Sequence, residues 1–236
     1  MTRNPLERPM QRLPRRARVA ADWLIGIAIA VAIVLAFRAW VVTPYAIPTS
    51  SMEPTLHCAP SDTKPSSPNS SLQPGQNPST SRGKAASVAS SACQGTSFLG
   101  LHFSDRVLVN RFIYRFRSPH RGEVVVFKTP RLVAEVCHSP SAKVLVKRLI
   151  GLPGDVVSEE RGFIYINGKK LNEPYVQPDR RDPHSGVWQV PKGWYFFMGD
   201  NRGASCDSRD WGPVARKELL GPVFTTYWPP NRISFY

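Results

Sequence analysis

Three stretches of this chain carry side chains that could work together on a carbonyl group. The first, Pro48-Thr49-Ser50-Ser51-Met52-Glu53-Pro54-Thr55-Leu56, sets three consecutive hydroxyl residues between prolines. Each proline restricts its own φ and the conformation of the residue before it, so the hydroxyls sit on a stiff, extended segment. A serine nucleophile needs that, because an alcohol reacts only when its oxygen is held beside a base and an oxyanion site. A Ser/Thr/Pro run is also what an ordinary linker looks like, and its meaning depends on the other two stretches. The second, Lys143-Val-Leu-Val-Lys147-Arg148-Leu-Ile-Gly151-Leu-Pro-Gly154-Asp155, is read with period two. In a strand Leu145, Lys147 and Leu149 share one face and Arg148 points to the other. An amine among leucines loses hydration, and full burial lowers a lysine pKa from about 10.4 by up to about 3 to 5 units, which makes it a general base. Arg148 cannot serve, since guanidinium stays protonated. The alternative is an edge strand on which both are surface charges. The third stretch, Met198 to Gly212, follows an aromatic run with Asp, Asn, Gly, Ser and Arg. It reads as a tight loop in which carboxylates and arginines pair bidentately, or as a polar surface turn.

The elements that must hold these stretches are mostly short strands. Arg106 to Asn110, Glu123 to Lys128, Lys143 to Ile150, Phe163 to Ile166, Trp194 to Met198 and Val223 to Tyr227 are β-branched or aromatic, with turn residues between them. Asn167-Gly168 after Tyr165-Ile166 predicts a hairpin. Upstream, Trp23 to Val42 is apolar or glycine except for Arg38, long enough at about 1.5 Å per residue to span a bilayer, which predicts one transmembrane helix. The tail before it carries Arg3, Arg8, Arg12, Arg15, Arg16 and Arg18 against Glu7, which places the N-terminus in the cytoplasm and all that follows Val42 outside. A cleavable signal peptide is the competing reading. From Cys58 to Ser97 Ser, Pro, Asn, Gln, Gly and Ala dominate, too polar to offset conformational entropy, which predicts a disordered insertion. The expected organisation is a basic cytoplasmic tail over 1–22, the transmembrane helix over 23–42, a low-complexity insertion over 57–97, and an extracytoplasmic β domain from 43–56 and 98–236.

With 236 residues, 42% of them hydrophobic, the chain can bury a sizeable core. A net charge of +14 raises nucleic acid as a partner, but the basic residues are scattered, with no aromatic-interleaved motif, and no nucleic acid is expected. The four cysteines lack the close pairs of a zinc site, so neither metal nor cofactor is called for. Cys58 and Cys93 bracket the insertion and could close it with a disulfide, although four cysteines allow three full pairings.

In order, the Pro48 to Leu56 stretch, Arg-Gly-Glu-Val-Val-Val-Phe at Arg121 to Phe127, Lys-Arg-Leu-Ile-Gly-Leu-Pro-Gly-Asp from Lys147, and Gly-Asp-Asn-Arg-x-x-Ser-x-Asp-Ser-Arg from Gly199 resemble the type I signal peptidases. The resemblance implies an antiparallel β-sheet catalytic domain with one N-terminal transmembrane helix. It implies a membrane-anchored serine endopeptidase that removes N-terminal signal peptides from exported preproteins, with no cofactor. Its place would be a cell membrane of inner or thylakoid type, crossed once, with membrane lipid and the protein export machinery as partners. By position, Ser51 is the nucleophile and Lys147 the general base of a Ser/Lys dyad. The Thr49 hydroxyl and the Ser51 N–H form the oxyanion hole, Ser205 bonds the Lys147 amine, and Asp207 and Arg209 brace the site. Tyr45, Ile47, Pro48, Met52, Leu56 and Val146 line shallow pockets for small side chains. The small residues from Ala85 to Ala92 would then make the insertion a possible substrate of its own enzyme. Ser50, where the family commonly has glycine, the long insertion and Cys206 depart from the pattern. The reading from another class is a catalytically silent β module.

Overall fold

The computed structural model describes residues 14–40, 42–58, 93, 96–99, 101–137 and 143–236. Residues 1–13 of the basic tail, and residues 59–92, 94 and 95 of the expected insertion with its Ala85 to Ala92 run, lie outside the described residues, whereas Thr96 and Ser97 at the insertion's end form part of a strand. The chain divides into two compact units, Met1–Thr43 and Pro44–Tyr236.

Among the described residues the first unit holds the helix α1 (Arg15–Trp40). The transmembrane span expected over 23–42 is not found: among the described residues, no helix is long and apolar enough to cross a membrane. Asp22 and Arg38 bound the longest uncharged run of α1, residues 23–37. At about 1.5 Å per residue that stretch covers about 20 Å, short of the roughly 30 Å of a hydrocarbon core. The single-pass topology, the cytoplasmic N-terminus and the membrane location rested on that span and fall with it. The fold is mainly β, with no membrane-spanning helix among the described residues.

The strands are β1 (Val42–Ala46), β2 (Thr96–Phe98), β3 (Leu101–Phe103), β4 (Arg106–Asn110), β5 (Val124–Lys128), β6 (Val144–Gly151), β7 (Val156–Glu160), β8 (Phe163–Ile166), β9 (Lys169–Lys170), β10 (Gly186–Gln189), β11 (Trp194–Met198), β12 (Val214–Ala215), β13 (Leu219–Trp228) and β14 (Ser234–Phe235). Two one-turn helices, α2 (Val133–Val136) and α3 (Ser208–Trp211), lie among them. The main sheet runs β1-β4-β13-β5-β6-β11-β12, with β14 on β13; a second sheet runs β10-β7-β8-β9, and β2 pairs with β3. The expected hairpin forms at Asn167-Gly168, where both residues have positive φ and Ile166 pairs with Lys169.

The middle of the main sheet is buried on both faces. Val124 and Val126 of β5 meet Ile47, Met52, Leu56, Val107, Val109 and Val223, whereas Val125 and Phe127 meet Leu149, Phe197, Trp211 and Val214. A strand covered on two sides is apolar without alternation, which is why residues 124–127 read Val-Val-Val-Phe. Each such side chain contributes about 1.5 to 3 kcal/mol by leaving water. β6 lies between β5 and β11, with Val125 opposite Lys147 and Val124 opposite Arg148. The two cations are therefore interior, and the edge-strand alternative is excluded. Disulfides join Cys58 to Cys93 and Cys137 to Cys206.

Candidate active site

The hydroxyl segment ends β1's approach to the sheet in a single 3-10 turn, Ser50–Met52, entered from Thr49 in an extended conformation. Ser51 is 6% exposed, while Pro48 and Thr49 before it are open to solvent. Thr49 Oγ1 and Ser51 Oγ lie 3.2 Å apart. The turn is held from the Met198 to Gly212 loop: Asn201 N donates to Ser51 O at 3.1 Å and Asn201 Nδ2 to Ser50 O at 3.2 Å. Gly199 fits between the two segments because it has no side chain. A Cβ there would collide with Ser51 O and Ser205 Oγ. Farther out, one residue fastens both ends of the segment. Asp105 O accepts from Ile47 N at 3.0 Å, Asp105 N donates to His57 O at 2.9 Å, and Asp105 Oδ2 accepts from His57 N at 2.9 Å. Arg232 Nη2 donates to that same carboxylate oxygen at 3.0 Å and to Thr55 O at 3.1 Å.

Lys147 is 3% exposed, and Leu145 and Leu149 on either side of it pack into the Phe127 cluster. Burial pushes its amine down to about 8, with the Asp207 carboxylate opposing a larger fall. Lys147 Nζ donates to Ser205 Oγ at 2.9 Å, and the Ser205 hydroxyl donates to Asp207 Oδ2 at 2.7 Å. Because the serine's own proton is committed to the carboxylate, its oxygen faces the amine as an acceptor. Asp207 also accepts from Gly199 N at 3.0 Å and from Arg209 Nε at 2.9 Å, and it caps α3 through a reciprocal box with Asp210. Burial pushes the Asp207 carboxyl up, but the Arg209 guanidinium, Lys147 and Ser205 outweigh it and hold it below its usual value. The Cys137–Cys206 disulfide ties the residue between Ser205 and Asp207 to the end of α2.

The loop thus brings Ser205, Asp207 and Arg209 to Lys147, and Gly199 packs between Ser51 O and Ser205 Oγ. The expected pocket residues divide. Ile47, Met52 and Leu56 are core side chains, 0 to 2% exposed; Tyr45 and Val146 cover them half-buried, and Pro48 is exposed. A cavity of about 480 Å³ elsewhere is lined by Arg121, Glu123, Arg148 and Tyr236, without Ser51 or Lys147. Sequence reasoning missed the Asp105–Arg232 clamp, the Arg148–Asp200 pair and the buried Arg202–Glu173 pair. Each joins residues far apart in the chain, and only an unusual density of charges in apolar surroundings signals them.

A family model described as "Signal peptidase, peptidase S26" matches residues 90–228, more than half of the chain and including Lys147 and the Ser205 loop. The chain belongs to the signal peptidase family. Ser51 lies upstream of the matched residues. Among curated relatives, "Probable signal peptidase I-2" of Synechocystis sp. is 42% identical over 57% of this chain and 60% of that one. "Signal peptidase I" of Leptolyngbya laminosa is 36% identical over 57% and 65%. The chain therefore spans roughly three fifths to two thirds of these two relatives. "Signal peptidase IB" of Staphylococcus aureus is 29% identical over 91% of this chain and 92% of that one.

Proposed function

We propose that this signal-peptidase-family chain is a Ser/Lys endopeptidase that removes N-terminal signal peptides from exported preproteins. The observation that carries the reading is Lys147: buried, pushed down to about 8, and fixed by a hydroxyl rather than by a carboxylate. An amine so placed is a base near neutral pH. In this reading Ser51 Oγ attacks the scissile carbonyl carbon as Lys147 Nζ takes its proton, and the negative charge on the carbonyl oxygen is met by the Thr49 hydroxyl and the Ser51 N–H. The tetrahedral species collapses as the Lys147 ammonium returns the proton to the leaving amine. Water then attacks the Ser51 ester with Lys147 again as base, which frees the signal peptide's new carboxylate. Ser205 keeps the amine in one orientation throughout. The half-open surface of Tyr45, Pro48 and Val146 suits an extended peptide with small side chains at the first and third positions before the cut.

Wild type, Ser51→Ala and Lys147→Met are incubated with a preprotein and the cut is mapped. Cleavage at one bond after small residues is expected in wild type alone. Activity is expected to rise with pH through about 8, because the base works only when unprotonated. Cleavage that survives Ser51→Ala, or a flat profile from pH 5 to 10, would count against the dyad.

A further inference from the structure

Glu159 is a buried ionisable group that this mechanism leaves unused. It lies in β7 opposite Gly186 of β10 and Ile164 of β8, neighbours with no polar side-chain atom, and is 1% exposed. Among the described residues neither of its carboxylate oxygens accepts a hydrogen bond. The charges that face it come from other elements. Arg209 Nη1, from α3, is 3.5 Å from Glu159 Oε1, and Asp182 Oδ2 is 3.8 Å from that same Nη1. Arg202 and Asp207 act on it from farther away.

Arg209 links this carboxylate to the site. Its Nε and Nη2 donate to the two oxygens of Asp207 at 2.9 and 3.1 Å, and Nη2 also donates to Arg202 O at 2.8 Å. Its Nη1, like Glu159, makes no hydrogen bond among the described residues. The contacts then run without a break from Glu159 to Arg209, from Arg209 to Asp207, from Asp207 to Ser205 and from Ser205 to the Lys147 amine. Resting on the reading of Lys147 as the base, we propose that Glu159 is a positioning residue that loads Arg209 at Nη1 and so sets the proton affinity of Lys147.

The direction follows from the charges. Arg209 disfavours the Lys147 ammonium and Asp207 favours it. An ionised Glu159 offsets part of the Arg209 charge and leaves Asp207 freer to favour the ammonium; a neutral group there does neither. Burial pushes Glu159 up to about 7, against Arg209 and Arg202, so it is ionised where Lys147 titrates near 8. Glu159→Gln should therefore lower the Lys147 midpoint, by about 0.3 to 1 pH unit for charges on the order of 10 Å apart.

The test is an NMR titration of the lysine amines in wild type and Glu159→Gln, with Lys147→Met assigning the signal, beside the pH profile of preprotein cleavage. Both midpoints should move to lower pH in Glu159→Gln. Asp182→Asn, whose carboxylate is 30% exposed and 3.8 Å from Arg209, should move them the same way by less. An unmoved Lys147 midpoint in folded Glu159→Gln overturns the proposal, and if that variant does not fold, an unmoved midpoint in Asp182→Asn does so. A wild type inert toward preproteins would instead sink the peptidase reading while leaving the NMR midpoints readable.

Discussion

Lys147 and Arg148 are neighbours in β6, both nine-tenths or more buried, and their surroundings treat their charges in opposite ways. Arg148 Nε and Nη2 donate to the two oxygens of Asp200 at 2.7 and 2.6 Å, Nη1 donates to Gly122 O at 2.7 Å, and the guanidinium lies 3.9 Å from the centre of the Tyr175 ring. Burial would strip its proton more easily, but Asp200 outweighs that and raises its affinity. Around Lys147 the direct partner is the Ser205 hydroxyl, the carboxylate stands one step behind, and burial wins. A buried cation met by a charge becomes a strut; one met by a hydroxyl becomes a group that can give up its proton. The choice between scaffold and chemistry lies in the partner, since the strand and the burial are shared.

The contrast can be broken from either side. Lys147→Arg should reduce preprotein cleavage to the background of Lys147→Met, because guanidinium does not accept the Ser51 proton; normal turnover in that variant would remove the base assignment. Arg148→Met leaves Asp200 buried without its partner and should cost about 3 to 5 kcal/mol in denaturant unfolding, with most of the loss recovered in Arg148→Met/Asp200→Leu. No recovery in the double variant would mean that the pair is more than a charge match. Thr49→Val, which removes one proposed oxyanion donor and leaves both cations in place, should lower turnover by about 10² to 10³ with little change in KM. The smallest effect runs the other way. The folded Lys147 pKa is depressed below that of the unfolded chain, so below about 8 burial of its charge opposes folding. That penalty fades as the pH rises from about 8 to about 10.5. Lys147→Met should then be more stable than wild type at pH 7 by up to about 3 kcal/mol, with no advantage above pH 10.5. Equal unfolding midpoints across that range would show that the amine is not strained by its burial.

The parts of this arrangement that were legible in the sequence are those with local periodicity. β4, β5, β6, β8 and β11 follow from β-branched and aromatic runs to within a residue, and the Asn167-Gly168 turn from its residue types. Val156-Val-Ser-Glu-Glu160 did not read as a strand because Glu159 faces a buried ion pair rather than solvent, and so β7 and its charge were missed together. β10, which reads Gly-Val-Trp-Gln, is too short for its alternation to stand out. The Ser51, Lys147 and Ser205 stretches stand out because stiff prolines, a lysine among leucines and a dense polar loop are each unusual. The partners of Arg148 and Arg209 are set by sheet order, which no local pattern encodes. The membrane span was overcalled for a related reason: hydropathy counts the whole run from Trp23 to Val42 across Arg38, whereas the uncharged part of α1 ends at Phe37.

The Cys58–Cys93 disulfide has a consequence for how the chain can change. Its two Cα atoms are 5.1 Å apart, and the neighbouring His57 is bonded to Asp105 through both its N–H and its C=O. Whatever sequence joins these cysteines has its two ends held together at one place, downstream of the turn that carries Ser51. Lengthening the joining sequence adds only about 0.6 kcal/mol of closure entropy per doubling. A longer or shorter sequence between the two cysteines thus changes that closure little, and the clamp through His57 and Asp105 keeps the Ser51 segment in register.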